Sequence, residues 1–238
     1  MNAQEALSCL VLSIPRAGTH FLMKTLALMG LKEYAPPGGI GVYNLNRMPR
    51  LGHFEYGGHF ALDMEPVVIS LQAGYKPIFI YRDPRDVIVS HAIFAIKDAR
   101  AQGGHPVYPA FDSGDMDEAI RFLIQYTPLR YDARMGWLQQ PHVLSIKYED
   151  LLMKPHETIN AISMHLGDLE LSGGEVNLIV SQMAPTRGGE ADKISAPYFS
   201  KGKVGDWKNW FKPYHVALFK EFAPDLLLDL GYETHDGW

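Results

Sequence analysis

Apolar residues along this chain fall into short unbroken runs and longer runs of helical spacing, and the two kinds alternate. CLVLS (Cys9 to Ser13) is a short apolar run ended by Pro15, as a buried parallel strand requires. From Gly18 to Met29 the pattern turns helical and stops at Gly30. PIFIYRDPRDVIVSHAIFAIKDA repeats that order. Pro77 to Tyr81 predicts a strand, Asp83 is placed to cap, Pro84 fits the first helical position, and the helix runs past Ile96. Two helical stretches follow, Asp115 to Tyr126 and Pro128 to Gln139, then a third strand, Val143 to Lys147, and a helix over Pro155 to Leu166. Pro36 to Gly58 reads as irregular chain, Glu65 to Ala73 as a short helix or a strand, and Thr186 to Gly205 as glycine and charge; two short helices close the chain. Strands alternating with helices predict an α/β fold, a parallel sheet covered on both faces with the ligand at the carboxyl ends of its strands.

Composition narrows the picture. A chain of 238 residues, nearly half of them apolar, suffices for one sizeable core, so a single domain spanning 1–238 is expected. The net charge of −5 argues against broad binding to nucleic acid or anionic membrane. A single cysteine, Cys9, excludes an internal disulfide framework and a thiol metal cluster. No apolar run reaches membrane-spanning length, and MNAQEALS lacks a signal-type pattern, so a soluble cytoplasmic protein with no membrane span is expected.

Candidate chemistry begins in SIPRAGTHFLMKTL (Ser13 to Leu26). Backbone N–H groups at a helix start, beside Arg16 and a glycine that permits close approach, suit a phosphate or sulfate. A nucleoside-triphosphate loop would need Gly-Lys-Ser/Thr, and here Thr19 and His20 follow the glycine. In YRDPRDVIVS, Arg82 at a strand end and Ser90 eight residues on could share one phosphate approached along the helix. Arg85 and Asp86, between them, are expected in solvent.

PRAGTH is similar to the 5′-phosphosulfate loop, P-K/R-S/A-G-T-T, of sulfotransferases that use 3′-phosphoadenosine 5′-phosphosulfate (PAPS), and RDPRDVIVS resembles their 3′-phosphate segment, R-N/D-P-K/R-D-V-x-V-S. KYEDLLMKP and FSKGKVGDWKNWF resemble two further family segments, in the family's order. The resemblance implies a P-loop-like three-layer sandwich, a central parallel sheet flanked by helices. It implies transfer of a sulfuryl group from PAPS to a hydroxyl or amine of a small-molecule acceptor, with adenosine 3′,5′-bisphosphate (PAP) as product and no metal. Carried over residue by residue, it places the 5′ end on Arg16, Ala17, Gly18, Thr19 and His20, with Phe21 stacking near the adenine. The 3′-phosphate falls to Arg82, Ser90, Lys201 and Gly202, with Tyr148 on the phosphate side and Ser181 at the adenine. Ser200 stands where the family has arginine, and neighbouring Lys203 can compensate; Trp207 is expected to pack the last loop down. The family's dimerisation pattern is not kept, so no oligomeric state is implied.

The family's base lies in a stretch resembling K-T-H-L-P, an interval occupied here by RLGHFEYGGHF (Arg50 to Phe60). His53 aligns best, with Glu55 and His59 as rivals; a missing lysine before the histidine leaves its contact to Arg50, Arg16 or Lys24. A P-loop kinase and a non-catalytic nucleotide-binding module are the competing readings.

Overall fold

The computed structural model describes residues 7–34, 48–58, 74–104, 108–167, 169, 171–183 and 203–238. These fall within two compact units, one from Met1–Tyr81 with Ala133–Arg187, the other from Arg82–Asp132 with Gly188–Trp238.

The first unit carries a parallel sheet flanked by helices. Its strands are β1 (Cys9–Ser13), β2 (Lys32–Glu33), β3 (His53–Gly58), β4 (Lys76–Tyr81) and β5 (Leu144–Lys147), in the order β2-β3-β1-β4-β5. Every neighbouring pair is parallel. β1 is buried at all five positions, which is why its sequence is an apolar run and not an alternation. The chain places β2 and β3 on one side of β1 and β4 and β5 on the other, so the strand order reverses at β1. In open parallel sheets that reversal opens the ligand crevice at the carboxyl ends.

α1 (Thr19–Leu28) turns Phe21, Leu22 and Leu26 onto Cys9 and Val11 of β1. Ile159 and Ile162 of α5 (Pro155–His165), with Ile179 and Met183 of α6 (Gly173–Met183), complete that core; α4 (Tyr148–Met153) adds Tyr148 and Leu151. Each such side chain contributes about 1.5–3 kcal/mol by leaving water. α1 ends where expected: Gly30 takes φ 92, and the Leu31 N–H returns to the Leu26 carbonyl.

The second unit is built on α2 (Pro84–Gln102), α3 (Met116–Asp132), α7 (Pro213–Phe222) and α8 (Leu226–Asp229). Asp83 caps α2 by accepting from the Arg85 N–H at 2.9 Å, and Pro84 holds the first helical position, both as the sequence predicts.

Several elements differ from expectation, among them β3, α3 and α6. β3 lies inside a stretch expected to be irregular; its register against β1 (Cys9 beside Phe54, Leu12 beside Gly58) makes it a strand despite two glycines and a bulge. α3 runs unbroken through Pro128, because Ala119, Ile120, Leu123, Ile124, Thr127, Pro128 and Tyr131 form one buried stripe. That burial outweighs the roughly 3 kcal/mol by which an interior proline disfavours a helix. α6 forms where the apolar pattern predicts no element.

Candidate active site

In the first unit the chemistry gathers at the carboxyl edge of the sheet. The loop after Ser13 brings Arg16 into the left-handed region, φ 70, the one non-glycine residue with positive φ among those described. Such a conformation costs about 1–2 kcal/mol, and its local effect is to turn the chain sharply before α1. Gly18 follows with φ 101 and caps α1 without a side-chain hydrogen bond. A glycine at the cap brings no side chain of its own against the first amides of α1, and so permits an anion to approach the backbone closely. Thr19 is buried, its hydroxyl 2.6 Å from that of Ser13 at the end of β1. Ala17 is wholly buried beneath the turn.

Tyr148, the first residue after β5, arrives at the same edge and lies against the loop. A Cβ on Gly18 would fall 2.4 Å from Tyr148 Cδ2, so glycine is required there twice over, by conformation and by space. Phe21 meets the Tyr148 ring edge-on at 5.9 Å and is buried in the core. His20 stands beside Arg16; partial burial and then that guanidinium hold its imidazole below the usual value, while Glu33 opposes them. Tyr81, at the end of β4, has its hydroxyl pushed up to about 12 by burial and by Asp150 and Glu149.

His53 is not brought to this loop. It is the first residue of β3, beside Lys32 of β2, and its N–H donates to Ser8 Oγ at 3.0 Å. Its ring Nδ1 donates to the Leu51 carbonyl at 2.7 Å. Ser8 precedes β1 and the anion loop follows it, so at about 3.3 Å of rise per residue His53 sits on the amino edge, more than about 13 Å of strand from the loop. Arg50 shares that edge, its carbonyl accepting from the Ser8 N–H. Glu55 pairs with Leu10 in mid-strand, and Gly58 reaches the level of Leu12. His59, the next residue in sequence, lies outside the described residues, as do Ser200, Lys201 and Gly202. Ser181 is exposed on α6, its hydroxyl donating to the Leu178 carbonyl at 2.7 Å.

In the second unit Arg82 and Ser90 are both buried. The Arg82 Nη2 donates to the Lys203 carbonyl at 2.8 Å and lies 3.4 Å from Asp86 Oδ2, and the Arg82 carbonyl accepts from the Tyr131 hydroxyl at 2.5 Å.

The expectation that Arg85 and Asp86 lie in solvent is overturned: they are 3% and 1% exposed. Arg85 pairs in a fork with Asp83 (Nη2 to Oδ2 2.7 Å, Nε to Oδ1 3.0 Å) and reaches Glu233 at 2.5 Å. Its guanidinium stands 4.0 Å from the ring centre of Trp207 and 4.7 Å from that of Trp238. Trp207 thus packs the last loop down, as expected. Asp86 accepts from the N–H groups of Gly205 and Trp207 at 2.8 and 3.0 Å.

The sulfotransferase domain model matches residues 8–231, and the chain belongs to that family. Among curated proteins it is similar to Cytosolic sulfotransferase 17 of Arabidopsis thaliana, 28% identical over 204 residues, covering 76% of this chain and 57% of that protein. Cytosolic sulfotransferase 16 of Arabidopsis thaliana is 25% identical, over 70% of this chain and 54% of that one. The chain thus spans little more than half the length of those two relatives. Human Sulfotransferase 2A1 is 26% identical, over 94% of this chain and 85% of the relative. Among solved structures, mouse sulfotransferase SULT7A1 complexed with PAP superimposes with a TM-score of 0.69 at 21% identity, covering 95% of this chain and 86% of that one. A retinol dehydratase solved with androsterone and the inactive cofactor PAP gives 0.64 at 16% identity, covering 92% and 80%. These structures share the fold. Family membership displaces the kinase reading. Among the described residues no helix is long and apolar enough to cross a membrane.

Proposed function

We propose that this chain is a single sulfotransferase domain that moves a sulfuryl group from PAPS to a hydroxyl or amine of a small-molecule acceptor. The observation that carries the reading is the opening loop: a strand at the reversal point of the sheet, a strained arginine, and a glycine-capped helix start backed by Tyr148. The relatives' names and the PAP in two superimposable structures support the donor class, and the word cytosolic in the relatives' names supports a cytoplasmic location.

Bound PAPS would supply the activated sulfuryl group and a phosphate leaving group. The rest of the chemistry belongs to this chain. Arg16 and the amides that open α1 bind the 5′ phosphate and offset the charge that grows on it as the sulfuryl group leaves. Arg82 and Ser90, with Lys201 and Gly202, bind the 3′-phosphate. Thr19 is held by Ser13, and Tyr148 fixes the loop's position.

The base is assigned to His59 in preference to His53. A base must lie within about 3 Å of the acceptor proton, directly or through one water. β3 carries the chain from His53 on the amino edge to Gly58 beside Leu12, and His59 is the next residue in sequence. Its imidazole takes the acceptor proton as the new oxygen–sulfur or nitrogen–sulfur bond forms.

The test compares His59→Ala with His53→Ala for turnover of labelled PAPS. The assignment expects His59→Ala to lower kcat by about 10²–10⁴-fold with PAP affinity kept, and His53→Ala to stay near wild type. The reverse order would return the role to His53. Binding of PAP without turnover by the unmodified chain across a broad panel of alcohols and amines would favour the non-catalytic module.

A further inference from the structure

A buried carboxylate beside a phosphate-binding arginine calls for a reason, because by Coulomb repulsion alone it weakens phosphate binding. Asp86 is such a group. Its side chain is fully buried and lies 3.4 Å from the Arg82 guanidinium, the cation assigned above to the 3′-phosphate.

Asp86 does not serve as the cap of its own helix, since Asp83 holds the Arg85 N–H. Both its oxygens are instead taken by another segment, Oδ2 by the Gly205 N–H and Oδ1 by the Trp207 N–H. Gly205 has φ 74, a turn that aims both amides at one carboxylate. Four residues earlier on the chain, Arg82 gives Nη2 to the Lys203 carbonyl. An anion thus holds two donors and a cation holds one acceptor within five residues, 203–207. In sequence those residues directly follow Lys201 and Gly202, the other two positions assigned to the 3′-phosphate.

We infer that Asp86 is a positioning residue for recognition of the 3′-phosphate: it fixes the 203–207 turn against Arg82 without itself touching the nucleotide. The inference rests on the sulfotransferase reading above and deepens it. It reverses the sign that plain electrostatics gives. If Asp86 were only a nearby negative charge, neutralising it would tighten anion binding. As a positioning residue, Asp86→Asn puts an amide N–H₂ against a backbone N–H, releases the turn, and weakens binding of the 3′-phosphate alone.

The experiment measures by calorimetry the affinities of PAP and adenosine 5′-monophosphate for the unmodified chain and for Asp86→Asn. The expected result is a fall in the PAP-to-monophosphate affinity ratio of about tenfold to a hundredfold, with monophosphate affinity unchanged. An unchanged ratio, an equal loss for both nucleotides, or tighter PAP binding overturns the inference. Should the variant not fold, hydrogen exchange on the unmodified chain decides. The Gly205 and Trp207 amides are expected to gain protection with PAP and not with the monophosphate; equal protection with both overturns the inference. If the unmodified chain does not prefer PAP over the monophosphate, the sulfotransferase reading itself fails, and this inference with it.

Discussion

At the scale of single residues, the opening loop was legible because its chemistry depends on residue types that leave few alternatives. A glycine between an arginine and a helix predicts close approach, and Gly18 has both the positive φ and the crowded neighbour that exclude any other residue. Gly18→Ala is expected to lose about 1–2 kcal/mol for conformation and about 1–3 kcal/mol for crowding against Tyr148. Urea unfolding measures the sum, and a double-mutant cycle with Tyr148→Ala should remove the crowding part and leave the conformational one. A cycle with no coupling would mean that the ring does not press on the loop. Arg85 and Asp86 were not legible. A charged pair in a first helical turn has the same sequence signature whether it faces water or is gripped by a distant segment. Only the fold brings Trp207, Trp238 and Glu233 to Arg85. For His53 the difficulty is one of position. A loose match around a histidine took no account of which end of a strand it would occupy, and the register supplies that.

At the scale of elements, strands with continuous apolar runs were readable and β3 was not, because HFEYGG becomes a strand through its pairing with β1 rather than through its own propensities. α6 did carry a local signal: Ser172 and Glu175 form a reciprocal cap, the Ser172 N–H donating to Glu175 Oε2 at 2.9 Å and the Glu175 N–H to Ser172 Oγ at 3.3 Å. α7 has a comparable device built on a titratable residue. His215 is wholly buried, and its Nδ1 accepts from the Lys212 N–H at 3.1 Å, so its own N–H is on Nε2, 3.6 Å from Asp117 Oδ1. Burial holds this imidazole below its usual value, against the pull of Asp117. The folded pKa is therefore below the unfolded value of about 6.5. The contribution is complete above that pH and is lost as pH falls through the folded value, because the unfolded chain binds the proton more readily. His165, half-buried with its ring Nε2 3.0 Å from the Pro77 carbonyl, has the same sign. The midpoint of thermal unfolding should fall on acidification below about pH 6.5, and less steeply in His215→Asn, which keeps an acceptor and cannot titrate. An identical slope in the variant would remove His215 from this role.

At the scale of the whole molecule, fold class and family were both written in the order of four short segments, and the family model runs from residue 8 to 231 through both compact units. The acceptor was not written there. Recognition of a small alcohol or amine depends on walls whose shape arises from loops, and loops of many sequences can build similar walls. The donor is different, since two phosphates at a fixed separation demand particular cations and glycines. On the proposal above, these cations and glycines serve transfer and not mere storage of a nucleotide. That proposal is tested most directly by incubating the unmodified chain with sulfur-labelled PAPS and a panel of small alcohols and amines. The account predicts labelled sulfonate on at least one acceptor, with PAP released in equal amount. PAP binding with no label transferred to any acceptor, or no binding of PAP at all, would contradict it.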